Sequence, residues 1–175
     1  MSSTLIIRPI EASDREDYYA IFSHPAVTEF DDFDPVTYEE LDRVLWEAIL
    51  SLGTREIQYG VVLQAEDRLV GVITVLRKRK YYYLGYHFNP LFHGRGYATQ
   101  SVKMMLESFS PEQRQLSRLA VHPQNIASIK VALKTGFAEF KRQGPAENPE
   151  IIFTYSQPEK VFDTAENLDT AKVSL

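Results

Sequence analysis

The chain has 175 residues, of which 44% are hydrophobic and 25% charged, a composition that predicts a single globular domain. Its formal net charge of -5 argues against general binding to nucleic acid or anionic membranes and favours cationic substrates. It has no cysteine, which excludes disulfides, thiolate metal sites and a cysteine nucleophile, and its four histidines have no metal-ligand spacing.

The N-terminal part of the chain predicts one strand and two helices. The apolar segment at residues 5–9 predicts the strand. A capping box that begins at Ser13 predicts a helix over about residues 14–23, and a second box that begins at Thr37 predicts another helix, which ends at Gly53. The apolar positions of the second helix repeat at helical spacing and should be buried; they are Leu41, Val44, Leu45, Ala48 and Leu52.

An acidic loop, residues 28–35, connects these two helices. It has the sequence TEFDDFDP, with four carboxylates and two phenylalanines. Such a loop can form the mouth of a site that attracts an amine and packs its apolar part, and this would involve Glu29, Phe30 and Asp31. It can equally be a solvated connector whose aromatic rings enter the core. The residues alone leave both interpretations open.

Three predicted strands follow at residues 58–63, 69–76 and 82–88. Their short spacing implies antiparallel hairpins. The basic run at residues 77–80 should be the exposed tip of the second hairpin. A nucleic-acid contact is the weaker interpretation, because one short basic run in an acidic protein gives it little support.

The third of these strands leads through a glycine-containing turn into an amphipathic helix. Pro90 ends the strand, Gly94 and Gly96 lie in the turn, and Ser110-Pro111 ends the helix. The N–H groups at a helix start lack intrahelical partners and can bind a phosphate, and glycines allow a close approach. The apolar face of this helix is formed by Ala98, Val102, Met105 and Phe109.

Several interpretations of this turn compete. A P-loop requires Gly-Lys-Ser/Thr, which is absent, and a dinucleotide-binding turn requires a third glycine where Thr99 stands. The two interpretations left open by the residues are a pyrophosphate-binding loop at residues 93–98, entered from an antiparallel strand, and an ordinary strand-to-helix turn.

The last third of the chain predicts strands at residues 116–121, 137–142 and 151–155. A right-handed crossover through the preceding helix would place the first of these parallel to the strand at residues 82–88. Ile126, Ile129 and Leu133 mark a helix with Asn125 as its N-cap and Gly136 as its C-terminal left-handed residue. The tail, residues 157–175, is polar, and we expect it to be flexible or loosely docked.

Two motifs resemble those of the GNAT superfamily of N-acetyltransferases. The run GYHFNPLFHGRGYATQS, residues 85–101, is similar to the superfamily's coenzyme A-binding segment, Gln/Arg-x-x-Gly-x-Gly/Ala. Gly96 and Ala98 fill its last two anchors, and His93 replaces the usual Gln or Arg. Asn125-x-x-Ser128, followed by Lys-Thr-Gly-Phe, resembles the branch that contains the Rim-type ribosomal-protein N-terminal acetyltransferases. The resemblance extends from about residue 5 to residue 155.

This resemblance implies an α/β (α+β) GNAT fold in one domain at residues 1–156, with a mixed, mainly antiparallel sheet of about six to seven strands and helices on both faces. It also implies direct transfer of an acetyl group from acetyl-CoA to a primary amine, either a protein N-terminus or a small molecule. The alternative is a non-catalytic acyl-CoA-binding module.

The resemblance also assigns roles within the site. Main chain near Tyr86 and Phe88 would hold the pantetheine, and the amide of Phe88 or of a neighbouring residue would face the thioester oxygen. Asn125 and Ser128 would lie beside the thioester. Ser128 is the expected donor to the departing thiolate, because Ala132 occupies the position where many members have an acid tyrosine. The pyrophosphate would be bound by main-chain amides of the turn, which comprises His93, Gly94, Arg95, Gly96, Tyr97, Ala98 and Thr99.

The resemblance does not identify the general base. Related enzymes often have a glutamate where this chain has Tyr83. The substitutes are His87 on the same strand, Glu29 or Asp31 in the acidic loop, and Glu150 near the last strand.

For partners, we expect an amine acceptor, no nucleic acid and no membrane. No apolar run approaches the length of a membrane span, and no signal-peptide pattern is present, so the expected location is the cytoplasm. No metal is expected. The sequence leaves open whether two chains form a homodimer through sheet edges or the tail.

Overall fold

The computed structural model describes residues 4–156, and the predicted tail at residues 157–175 lies outside this part. Within residues 4–156, one sheet contains the strands β1 (Leu5–Pro9), β2 (Glu56–Leu63), β3 (Arg68–Lys78), β4 (Tyr81–Phe88), β5 (Ser117–Val121), β6 (Phe137–Gln143) and β7 (Glu150–Tyr155). Their spatial order is β1-β2-β3-β4-β5-β7-β6. All neighbours are antiparallel except β4 and β5, which are parallel. The predicted mixed, mainly antiparallel sheet is confirmed.

Helices pack on both faces of the sheet, as predicted. They are α1 (Arg15–Phe22), α2 (Pro25–Thr28), α3 (Leu41–Ile49), α4 (Tyr97–Ser108), α5 (Pro111–Gln115) and α6 (Ile126–Lys134). Side chains of β1, β2 and β3 alternate between two buried clusters, whereas the clustered side chains of β4 to β7 belong to only one of them. One cluster joins α1 and α3 to the sheet, and the other joins α4 and α6 to the opposite face. None of the helices in residues 4–156 is long and apolar enough to cross a membrane.

The first helix does not begin with the predicted capping box. Ser13 lies in a 3-10 turn at residues 12–14, and α1 begins at Arg15. The buried Asp14 carboxylate instead accepts two bonds from the Arg8 guanidinium and one from the Glu11 N–H, each at 2.8 Å. These bonds to Asp14 raise the pKa of Arg8. The local cap is therefore formed by Glu11 and Asp14 rather than by Ser13, and the ion pair ties β1 to the turn that precedes α1.

Two predicted helix faces also need correction. α3 ends at Ile49 rather than at Gly53, and Leu52 is exposed. Just after this helix, the Ser51 hydroxyl donates to the Ala48 carbonyl at 2.7 Å. In α6, Ile126 and Leu133 are 56% and 58% exposed, because this helix approaches the sheet through the small, fully buried Ala132.

The strands β4 and β5 separate towards their C-terminal ends. Their register pairs only Tyr82 with Ser117 and Tyr83 with Arg118. The Tyr82 N–H donates to the Leu116 carbonyl, so the alternation of a strand directs the N–H groups of Tyr86 and Phe88 to the same side. Beyond the two register pairs, that side of β4 faces a gap. The predicted parallel pairing is confirmed, and the two strands open beyond it.

Candidate active site

The gap between β4 and β5 is a cleft of about 120 Å³. The C-terminal ends of parallel strands lie at the same edge of a sheet, so α4 and α6, which follow β4 and β5, both begin beside it. The acidic loop covers the cleft from the face that carries α1. Six residues predicted from sequence meet there: Phe30, Asp31, Tyr86, His87, Asn125 and Ser128.

The glycine turn before α4 presents unobstructed main chain. Gly94 and Gly96 have φ angles of 75° and 78°, in the left-handed region that favours glycine. Nothing lies within 4 Å of a Cβ built on either residue. Gly96 is the N-cap of α4, no side chain caps this helix, and its first turn contains no acidic residue. The turn therefore fits a bound pyrophosphate, with N–H groups and the helix dipole directed towards it.

His93 connects this turn to the end of β4. Its Nε2–H donates to the Phe88 carbonyl at 2.9 Å. The buried Phe88 ring lies over Gly71, its register partner in β3, where an added Cβ would be 2.3 Å from the ring. Both contacts fix the last residue of β4, whose N–H points into the gap.

The first turn of α6 forms the wall of the cleft on the α4 side of the sheet. The Asn125 side chain accepts the Ser128 N–H at 3.1 Å, which confirms Asn125 as the N-cap. The Tyr86 hydroxyl donates to the Ser128 carbonyl at 3.4 Å. Burial raises the pKa of Tyr86 to about 12. Ala132, at the position where many members of the superfamily have an acid tyrosine, has no polar side-chain group.

The opposite wall contains a histidine–carboxylate pair. The His87 Nε2 lies 2.9 Å from Asp31 Oδ2, and the imidazole packs against the rings of Phe22 and Phe33 at centroid distances of 5.2 and 5.9 Å. A carboxylate accepts hydrogen bonds, so in the neutral imidazole Nε2 carries the proton and Nδ1 has the lone pair. This Nδ1 is buried and has no hydrogen-bond partner among residues 4–156.

The remaining predicted acceptor residues occupy different places. Phe30 stacks on His122 at a centroid distance of 5.1 Å and an interplanar angle of 24°, which closes the cleft at the end of β5. Glu29 lines a neighbouring, open depression on the acidic loop, together with Asp32 and Asp34, and Asp31 lines both this depression and the cleft. Phe30 and Asp31 therefore face the cleft, whereas Glu29 does not.

Glu150 and the basic run at residues 77–80, both considered from sequence, lie outside the cleft. The Glu150 carboxylate accepts from the Gln143 side chain at 3.3 Å. The basic run at residues 77–80 is exposed at the hairpin between β3 and β4, as predicted, at the end of β4 away from the cleft. No group of three His, Asp or Glu residues in the described part of the chain could hold a metal ion.

Sequence reasoning missed three features of the site. It considered only the main chain of Tyr86 and not its hydroxyl, it did not pair His87 with Asp31, and it gave His122 no role. None of these has a sequence signal, because each is a contact between segments that are distant along the chain.

Residues 4–138 match the family model described as an acetyltransferase (GNAT) domain. The chain is 27% identical over 144 residues to the uncharacterized N-acetyltransferase YnaD of Bacillus subtilis (strain 168), which covers 80% of this chain and 81% of that protein.

Solved structures show the same fold. RimL, a ribosomal L7/L12 alpha-N-protein acetyltransferase in complex with coenzyme A, has a TM-score of 0.74 and 20% identity, covering 87% of this chain and 93% of that one. Spermidine N-acetyltransferase from Vibrio cholerae, in complex with CoA and spermine, has a TM-score of 0.69 and 17% identity. The match covers 87% of this chain and 95% of that one.

The chain belongs to the GNAT acetyltransferase family. It is an acetyl-CoA-dependent N-acetyltransferase, and acetyl-CoA is its acyl donor.

Proposed function

We propose that this enzyme acetylates a cationic primary amine that enters past the acidic loop, while acetyl-CoA occupies the gap between β4 and β5. The observation that carries the proposal is the gap itself. Its two strands pair at one end only, and their open ends lie between the start of α4 and the His87–Asp31 pair. Acyl donor and acceptor would meet there directly, since the chain has no cysteine to carry the acyl group.

On the donor side, main-chain groups have the principal role. The amides of the turn at residues 93–99 bind the pyrophosphate, assisted by the α4 dipole. The main-chain groups of Tyr86 and Phe88, on the unpaired edge of β4, form hydrogen bonds to the pantetheine as they would to a neighbouring strand. The Phe88 N–H stabilises the negative charge that develops on the thioester oxygen during attack. Asn125 and Ser128 lie beside the thioester.

On the acceptor side, side chains have the principal role. The carboxylates of the acidic loop attract an ammonium group, but an amine attacks only after it has lost a proton. His87 is the proposed general base, with Asp31 fixing its tautomer and orientation, so that Nδ1 accepts the proton. His87 lines the cleft, and its buried Nδ1 has no partner among residues 4–156, which supports a role that a substrate N–H completes once a small movement of the side chain exposes this atom. Glu29 and Glu150 are disfavoured because neither lines the cleft.

The residues that line the acceptor side of the cleft favour an amine attached to an apolar group. Phe30 and Phe33 lie beside the carboxylates, so an ammonium and a neighbouring hydrocarbon segment could be accommodated together. Peptide N-termini, polyamines and aminoglycosides all have a primary amine and are distinguished by what surrounds it.

The test is release of free thiol from acetyl-CoA with a panel of N-terminal peptides, polyamines and aminoglycosides. We expect turnover that depends on one acceptor class. Asp31→Asn should raise the KM for that acceptor and lower kcat, with little change in the KM for acetyl-CoA. Asp32→Asn is the matched control, because it removes the same charge from the same loop without touching His87. Equal effects of both substitutions would contradict a specific role for the pair.

A further inference from the structure

The hydroxyl of Tyr86 has an unusual position for a strand residue. Its ring extends from β4 to the first turn of α6, where the hydroxyl donates to the Ser128 carbonyl. The separation of 3.4 Å is well above the usual length of about 2.7–2.8 Å for an O–H···O bond, so this bond is weak. Both residues line the cleft. The hydroxyl can therefore turn to a stronger acceptor in the cleft without losing a strong bond.

The proposed reaction produces such an acceptor. When the C–S bond of the thioester breaks, its electron pair and a negative charge remain on sulfur. A negative charge that develops on sulfur is stabilised by a hydrogen-bond donor directed at it. Ala132 supplies no donor, and the Ser128 N–H already donates to Asn125 in the N-cap of α6. The hydroxyls of Ser128, the donor expected from sequence, and of Tyr86 are therefore the two side-chain hydroxyl donors that residues 4–156 place on this wall.

We propose that Tyr86 is a catalytic residue whose hydroxyl donates a hydrogen bond to the departing thiolate. The assignment rests on the proposed function, because it requires acetyl-CoA in the gap. In the free enzyme the Ser128 carbonyl holds this hydroxyl at the wall of the cleft. Ser128 thereby positions Tyr86, in addition to any contact that its own hydroxyl makes.

The ionisation of Tyr86 specifies what the hydroxyl does. Burial raises the pKa of Tyr86 to about 12, so the hydroxyl keeps its proton at neutral and mildly alkaline pH. A thiol has a pKa of about 8.5, and the thiolate is therefore too weak a base to remove that proton. Tyr86 stabilises the anion by hydrogen bonding, without transferring its proton.

The reaction balances on this assignment. The amine nitrogen forms the C–N bond, and the base accepts the proton that the nitrogen loses. Sulfur leaves with the electron pair of the C–S bond. The released thiolate takes a proton from water, and the base returns its own proton to water, so the products are the acetamide and free CoA thiol.

The first experiment is steady-state kinetics of Tyr86→Phe, which removes only the hydroxyl. A hydrogen bond to a charged group contributes about 1.5–3 kcal/mol, so kcat should fall about 10- to 100-fold with little change in the KM for acetyl-CoA. Tyr82→Phe is the matched control. Tyr82 lies on the same face of the same strand, but it packs on Phe109 at a centroid distance of 5.6 Å, outside the cleft. This control should keep its kcat.

The second experiment does not depend on turnover. The thiol of CoA bound to the enzyme is titrated by the ultraviolet absorbance of its thiolate. In the wild type the bound thiol should have a lower pKa than free CoA, and Tyr86→Phe should remove most of that difference, whereas Tyr82→Phe should not. An unchanged titration in Tyr86→Phe, or an unchanged kcat, would overturn the assignment. If no acceptor supports turnover, the acceptor proposal fails while this titration still tests Tyr86.

Discussion

The two walls of the cleft are built in different ways. The wall proposed to bind the acyl donor, the donor wall, consists largely of main chain: the unpaired edge of β4, continued by the turn with Gly94 and Gly96 and the start of α4. The acceptor wall consists of side chains from distant segments, with Asp31 bonded to His87 and Phe30 stacked on His122. The donor wall should therefore be sensitive to changes in backbone geometry, and the acceptor wall to conservative changes in side-chain chemistry.

Of the substitutions that distinguish the two walls, His87→Gln should have the largest effect. It retains a polar side chain of similar size but removes the proposed base, so kcat should fall about 100- to 1,000-fold. The Kd for acetyl-CoA should stay unchanged, because the donor wall is intact. Steady-state kinetics over pH, together with calorimetric acetyl-CoA binding, measures both. A weakened Kd with unchanged kcat would assign His87 to the donor wall.

Gly96→Asp should disable the donor wall instead. At a φ of 78° a residue with a Cβ is strained, and a carboxylate at the start of α4 repels the pyrophosphate. We expect acetyl-CoA to bind about 100-fold more weakly by calorimetry.

Gly53→Asp is the matched control for this substitution. Gly53 has a φ of 80° and equally open surroundings, but it lies after α3, outside the cleft. Gly53→Asp therefore introduces the same backbone strain and the same negative charge as Gly96→Asp, but away from the proposed pyrophosphate site. Equal weakening of acetyl-CoA binding by both substitutions would refute the assignment of the turn.

Gly71→Ala should act on the donor wall through packing. The new methyl group would meet the Phe88 ring and displace the end of β4, which should lower the free energy of unfolding by about 2 kcal/mol. Gly85→Ala, whose Cβ would be 3.9 Å from Thr74, should change it by less than about 0.5 kcal/mol. Urea denaturation distinguishes the two, and equal stabilities would show that the Phe88 ring is not held over Gly71.

Alkaline pH should reveal the buried tyrosine of the donor wall. The pKa of Tyr86 is raised from 10.0 to about 12, so its contribution to stability is complete below pH 10 and is lost as pH rises towards 12. The loss should reach about 1.4 kcal/mol near pH 11. Burial raises the pKa of Tyr18 as well, so only the difference between wild type and Tyr86→Phe isolates Tyr86. As pH rises above 10, the free energy of unfolding should fall more in the wild type than in Tyr86→Phe. A difference between the two proteins that does not change with pH would contradict the burial of the Tyr86 hydroxyl.

Much of the fold could be predicted because its signals are local. Alternating apolar residues and flanking Pro and Gly gave every strand of the sheet within about two residues. The missed helices, α2 and α5, have four and five residues, too few for a periodic pattern. In α6 the apolar positions identified the helix but not its buried face, because the sheet contact is made by Ala132.

The sequence by itself predicted the elements of the proposed donor wall. Glycines that adopt positive φ and a helix start with open N–H groups are properties of adjacent residues, so the turn and the Asn125 cap could be predicted before any contact was known. The residues left the function of the turn open, and the family resemblance assigned it to a pyrophosphate. Tertiary structure alone decided the acceptor wall. Four carboxylates of one loop are chemically alike, and only folding brings Asp31 to His87, 56 residues away along the chain. The hydroxyl of Tyr86 meets α6 for the same reason: a strand's sequence determines which face a side chain occupies, while the helix it contacts depends on the packing of the whole domain.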